Sequence, residues 1–259
     1  MLKVGIVGMG VIGHRVAAAI TRGIPGTTLA GVSVRRPESA GAFTVLPLDA
    51  LIERSDLIVE AATQASLREF GPAVLAAGKH LMVLSVGALV GVLDEWARLA
   101  EKYGCRILVP SGAIAGLDGV KGAREGAITA VTMETRKPPR GLAGAPYIEQ
   151  HRIDLDAITA ETLIFEGPAS LAVKAFPANV NVVAALSLAG IGPERTRIKI
   201  YAVPGQLRNQ HRITVDGEFG TLRIEVENVP SENPRTGRLS YLSAIAMLRE
   251  MGASVQVGN

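Results

Sequence analysis

A short apolar run, Leu2-Lys3-Val4-Gly5-Ile6-Val7, passes directly into Gly8-Met9-Gly10-Val11-Ile12-Gly13 and from there into a helical pattern. The glycine spacing alone is weak evidence. A strand before it and a helix after it give the turn a mechanism. Gly8 permits the tight turn, Gly10 lets a pyrophosphate approach the backbone, and Gly13 lets the helix pack closely on the strand. The helix N-terminus then presents free amides to the phosphates. All six residues, Met9, Val11 and Ile12 included, are expected to contact a dinucleotide. A tight strand-to-helix connection with no ligand is the competing reading.

The pattern repeats beyond this turn. Residues 11–22 read as a helix ended by Gly23, Pro25 and Gly26, and a strand returns at 28–34. Apolar runs at 57–61, 81–86 and 105–109 alternate with helical patterns at 66–77 and 93–103. Short apolar strands separated by helices predict a doubly wound parallel sheet of the Rossmann type. After Pro110 the texture changes. Residues 127–135, 162–166, 197–203, 211–215 and 218–226 read as strands with mixed polarity, and Asp216-Gly217 as a two-residue hairpin turn. The fold class is therefore α/β, with a second α+β domain on a mixed sheet. Residues 180–191 read as a buried helix. A last helix at 239–251, with Leu242, Ile245, Ala246 and Arg249 on one side, returns toward the first domain. The expected division is residues 1–110 with 231–259 for the dinucleotide and 111–230 for substrate and dimerisation.

Composition narrows the class. Over 259 residues the formal charge is only +3, with no basic block, so neither nucleic acid nor an anionic membrane is an expected partner. The single cysteine, Cys105, excludes an internal disulfide and a cysteine-based metal cage, and suits a reducing cytoplasm. The chain enters its first strand without a charged leader or apolar signal core, so a cytoplasmic location is expected.

Ligands of open α/β sheets lie beyond the carboxyl ends of the strands. The second strand ends Ser33-Val34-Arg35-Arg36, without the acidic residue that holds the ribose hydroxyls of NAD. Arg35 or Arg36 can meet a 2′-phosphate or stack on adenine, or form a solvated pair. The ends counted as those of the fourth, fifth and sixth strands, at Glu60-Ala61-Ala62-Thr63-Gln64, Ser85-Val86-Gly87-Ala88 and Pro110-Ser111-Gly112-Ala113-Ile114-Ala115-Gly116, are rich in small residues. Such ends leave room for a flat nicotinamide. Of the four histidines, His14 and His151 read as surface residues and His80 lies at the wrong end of its strand. His211 shares strand parity with Ile213 and Val215 and faces the packed side, either as a hydrogen-bonded core residue or as a general base. Asn179 and Asn181, at the start of an apolar helix, suit capping or recognition of an amide.

Several runs together resemble the L-aspartate dehydrogenases: Ser85-Val86-Gly87-Ala88-Leu89, the loop from Pro110 to Asp118, Phe176-Pro177-Ala178-Asn179-Val180-Asn181-Val182, and Asn233-Pro234-Arg235-Thr236. The resemblance spans essentially the whole chain in order. It implies a homodimer that oxidises L-aspartate to iminoaspartate, and then oxaloacetate and ammonia, with NAD or NADP, supplying NAD biosynthesis. It also implies an active-site histidine at His211 and cofactor contacts at Ala115 and Asn181. Leu171 stands where an acidic residue is expected, and Gly237 where a serine is usual. Lys137, Lys174, Lys199 and Arg208 are the candidates for holding the substrate carboxylates. Another amino-acid or semialdehyde dehydrogenase is the nearest rival, and a nucleotide sensor without chemistry the more distant one.

Overall fold

In the computed structural model, residues 1–229, 231 and 237–258 are described. The Asn233-Pro234-Arg235-Thr236 run lies outside the described residues. The chain divides into two compact units, Met1–Pro110 with Tyr241–Gln256, and Ser111–Ser240 with Val257–Asn259.

In the first unit, strands β1 (Leu2–Val7), β2 (Thr27–Ser33), β3 (Leu57–Glu60), β4 (His80–Val83) and β5 (Ile107–Leu108) form a parallel sheet in the order β2-β1-β3-β4-β5. Helices α1 (Val11–Gly23), α2 (Leu48–Arg54), α3 (Gln64–Ala76) and α4 (Leu93–Lys102) connect them. All four residues of β3 are buried, as a strand covered on both faces requires. Residues around Val45 contribute only an isolated bridge to Val32. The strand ends counted as fourth, fifth and sixth are therefore those of β3, β4 and β5. The run at 81–86 leaves the sheet at Val83 and turns into a short 3-10 segment, Val86–Leu89. Cys105 precedes β5 rather than lying in it. Its buried thiol faces Leu75 O at 3.5 Å, and burial pushes the thiol pKa upward.

The second unit holds α5 (Leu117–Ala123), β6 (Ile128–Lys137), α6 (Pro146–Gln150), β7 (Thr162–Pro168), α7 (Ala169–Ala175), α8 (Asn181–Ala189), β8 (Thr196–Ala202), β9 (Asn209–Gly217) and β10 (Gly220–Asn228). Its sheet runs β10-β9-β6-β8-β7, with β6 and β8 parallel and the other pairs antiparallel. Alternation divides the strands between two faces. Val131, Met133, Ile198, Ile200, Ile213 and Val215 are buried on one, and α7 and α8 lie against β8. Glu134, Arg136, Arg212 and Glu225 form ion pairs on the other.

The β9–β10 turn falls two residues later than predicted. Gly217 pairs with Gly220 across Glu218 and Phe219, and Gly220 carries the positive φ of +110° that a side chain would resist. The apolar face of the last helix also differs. In α9 (Leu239–Glu250) the buried residues are Ala244 and Leu248, clustered with Val4, Ile6, Val16 and Ile20 of the first unit, whereas Leu242 is exposed. The i, i+4 spacing of Ala244 and Leu248 puts both on one helix face.

Candidate active site

The order of the first sheet places its topological switch between β1 and β3, where a crevice opens beyond the strand ends. Gly8 ends β1 there with φ +94°, and a Cβ on it would lie 2.6 Å from Ala61 O in the loop after β3. A Cβ on Gly13 would run into Gly8 O. Around Gly10, by contrast, nothing stands within 4 Å of a Cβ position. The turn is thus packed tight where backbone meets backbone and open where a phosphate would sit. Neither Asp nor Glu occupies the first turn of α1, so nothing there repels an anion drawn to the helix N-terminus. A dinucleotide fits these residues.

A cleft of about 710 Å³ adjoins the turn, lined by Gly8, Met9 and Gly10, by Ser33, Arg35 and Arg36 after β2, and by Ala61, Ala62 and Thr63 after β3. Val11, Ile12 and Gly13 form the first turn of α1. The loop after β3 is held by a residue that strand patterning passed over. Glu60 is fully buried and accepts hydrogen bonds from Ala62 N at 2.8 Å, Leu84 N at 3.2 Å, and Ser85 N and Oγ, both at 2.8 Å. Burial pushes its carboxyl pKa up, while these donors pull the other way. A carboxylate ending an otherwise apolar strand was the available signal.

His14 is half-buried, with Nε2 2.9 Å from Ser39 O. His80 sits at the amino end of β4 and takes Arg106 N–H on Nδ1. His151 is exposed, and its ring stacks on Tyr147 at 3.9 Å. His211 differs from all three. It lies on β9, only 3 % exposed, on the same face as Ile213 and Val215.

Across the strand from His211 is Thr135 on β6, with Oγ1 3.1 Å from Nδ1. Two residues further along β6, on the same face, Lys137 is 4 % exposed and donates from Nζ to Asn179 Oδ1 at 2.9 Å. Burial lowers the Lys137 pKa to about 8. Burial, and then the charge of Lys137, lowers that of His211 to about 3. His211 is therefore a neutral imidazole at neutral pH, with Thr135 holding the ring at Nδ1.

The other candidate cations are elsewhere. Lys199 pairs with Glu166 at 3.9 Å, Arg208 with Glu227 at 3.6 Å, and Lys174 is exposed on α7.

Also in the second unit, Ala115 is exposed on the glycine-rich loop and Asn181 is the first residue of α8. A Cβ on Gly112 would lie 3.8 Å from Val182 Cγ1, so this loop and the start of α8 are neighbours. The loop is anchored by a residue the sequence reading did not single out. Buried Asn228, ending β10, donates from Nδ2 to Ala113 O at 2.7 Å. Leu171 is 54 % exposed on α7, so the expected acidic position faces solvent.

With this geometry in view, known proteins are informative. A family model described as the NAD binding domain of homoserine dehydrogenase matches residues 8–110, and one described as the C-terminal part of aspartate dehydrogenase matches residues 118–251. An L-aspartate dehydrogenase of Methanosarcina barkeri is 46 % identical over the full length of both chains. One of Bradyrhizobium diazoefficiens is 45 % identical over 99 % of this chain and 94 % of its own. The solved structure of an aspartate dehydrogenase from Thermotoga maritima superposes with a TM-score of 0.79 over all of both chains, at 22 % identity, a likeness of fold.

A Rossmann unit with an open glycine turn, joined to an α+β unit, defines an NAD(P)-dependent dehydrogenase of the amino-acid class. Within that class the chain belongs to the L-aspartate dehydrogenase family. Its cofactor is NAD or NADP. Among the described residues no helix is long and apolar enough to cross a membrane.

Proposed function

We propose that the protein oxidises L-aspartate to iminoaspartate, which water then converts to oxaloacetate and ammonia. The observation that carries this reading is His211, a neutral, oriented, buried imidazole beside a buried cation, in a chain whose full-length relatives bear the name L-aspartate dehydrogenase. Residues 1–110 with 231–259 serve the dinucleotide and residues 111–230 serve the substrate and dimerisation. Gly8, Met9, Gly10, Val11, Ile12 and Gly13 hold the pyrophosphate, Arg35 the adenosine end, and Ala115 and Asn181 the nicotinamide end.

NAD or NADP held by these residues would supply the hydride acceptor for oxidation at the substrate α-carbon. The amine must first lose a proton so that its lone pair can form the carbon–nitrogen double bond as the hydride leaves. His211 Nε2 receives that proton, or the one released by the water that attacks the imine. Thr135 holds the ring so that Nε2 faces the substrate. NADP is accepted as well as NAD, because Ser33 brings no negative charge to the ribose position and Arg35 and Arg36 line the cleft. The enzyme acts as a cytoplasmic homodimer and its iminoaspartate supplies NAD biosynthesis, as the resemblance to its family implies.

The test is absorbance at the reduced-nicotinamide band with L-aspartate, D-aspartate and L-glutamate under each cofactor. Reduction with L-aspartate alone is expected, and no signal with L-aspartate would reject the reading.

A further inference from the structure

We propose that Lys137 binds a carboxylate of the substrate, and that this pairing removes a positive charge which, together with burial, opposes protonation of His211. The inference rests on the reading of His211 as the base and adds the residue that selects an anionic substrate. Its foundation is a buried cation without a counter-charge. Lys137 makes no ion pair among the described residues, and its partner is the neutral Asn179 Oδ1. An ammonium taken out of water is costly unless it is paired, and packing alone would favour an apolar side chain of the same length. A site that receives an anion supplies the missing partner. Lys199 and Arg208 already have carboxylates, and Lys174 faces solvent, so Lys137 is the candidate still without one.

Geometry couples the two groups. Thr135 and Lys137 stand at i and i+2 on one face of β6, and Thr135 is the cross-strand partner of His211. The neighbours of His211 in the sheet are Thr135 on one side and Val226 on the other, neither titratable. Lys137 is the charged group that acts on the ring. In the free enzyme its charge opposes protonation of His211. A carboxylate seated on Nζ cancels that charge, so the base gains proton affinity at the moment a substrate arrives. A monocarboxylic or neutral amino acid that leaves Nζ unpaired forfeits this gain.

The experiment uses the full chain and succinate, a dicarboxylate without an amine to oxidise, with propionate as the monocarboxylate control. Calorimetry on the wild type is expected to show succinate bound more tightly than propionate. In Lys137→Met the succinate Kd rises by about 30-fold, the loss of one charge-assisted contact, while the Kd for reduced nucleotide stays within about twofold. The His211 ring, followed by NMR, titrates at higher pH in Lys137→Met than in the wild type. A succinate Kd within about threefold of wild type, or an unmoved His211 titration, overturns the proposal. If Lys137→Met fails to fold, Lys137→Arg keeps the charge but displaces it. An aspartate KM raised about tenfold at an unchanged melting temperature then supports the proposal, and an unchanged KM overturns it. A wild type that ignores L-aspartate yet binds succinate through Lys137 refutes the substrate reading alone, whereas turnover with Lys137-independent succinate binding refutes this inference alone.

Discussion

Thr135 and His211 face each other across β6 and β9, the threonine oxygen 3.1 Å from Nδ1 of the imidazole, both side chains buried. This holds the ring at Nδ1 and leaves Nε2 as the atom for the proposed proton transfer. Replacing His211 by Ala is expected to lower turnover by about 100-fold or more, the usual contribution of a positioned base, while leaving the nucleotide Kd unchanged. Steady-state kinetics and fluorescence titration of reduced nucleotide read the two quantities. Near-normal turnover would remove His211 from the mechanism.

The same ring makes stability depend on pH. Folded His211 has its pKa lowered to about 3 from 6.5, so below pH 6.5 the unfolded chain takes up a proton that the folded one refuses. The stability it contributes is complete above pH 6.5 and is lost as the pH falls toward 3. Urea unfolding should show wild type losing about 2 to 3 kcal/mol more than His211→Asn between pH 7 and 4.5. Equal losses would mean that the imidazole is hydrated in the native state.

The first unit was legible because its signals are local. β1 and β3 are short apolar runs and α1 lies between Gly10 and Gly23, so all three stand within a residue or two of their predicted limits. The face of His211 was legible for the same reason, since alternation with Ile213 and Val215 is a property of one strand. Lys137 was harder. The strand read at 127–135 stopped two residues short of the end of β6, although Lys137 continues the parity of Val131, Met133 and Thr135. Glu60 and Asn228 were missed because their partners are far away in sequence, Ser85 and Ala113 respectively. The turn after β9 was misplaced because Asp216-Gly217 has the stronger hairpin composition, whereas pairing of β9 with β6 extends the strand through Gly217.

Cofactor choice should turn on the end of β2. Ser33 and the two arginines after it line the cleft, and a carboxylate at residue 33 would repel a 2′-phosphate while accepting ribose hydroxyls. Ser33→Asp is expected to raise the NADP KM by about tenfold or more and to lower or preserve that for NAD, a change of about 1.4 kcal/mol or more in discrimination. Parallel shifts for both cofactors would show that this strand end does not read the ribose.

Glu60 joins the loop after β3 to the end of β4 through four donors. Glu60→Gln retains the shape but turns an amide toward groups that can only donate or must reorient. A loss of about 1 to 3 kcal/mol in unfolding free energy is expected, with weaker nucleotide binding because Ala61, Ala62 and Thr63 line the cleft. Thermal melts with and without nucleotide separate the two effects. An unchanged melting temperature would mean that the buried carboxyl is already protonated and tolerates the amide.

Gly237 stands where the family resemblance leads one to expect serine, and its surroundings give the glycine a purpose. A Cβ there would lie 2.9 Å from Asn228 Cβ and 3.0 Å from its Cγ and Oδ1. Asn228 is the residue whose amide holds Ala113 O, and with it the loop that carries Ala115. Gly237→Ser should therefore displace Asn228, cost about 1 to 3 kcal/mol by overpacking, and weaken nucleotide binding through a loop that has lost its anchor. Asn228→Ala should reproduce the loss of binding. The double variant should add little to either single one, because both act through the same hydrogen bond. Additive effects on nucleotide affinity would show that Gly237 acts independently of Asn228 and that the close approach of the two residues is incidental to the loop.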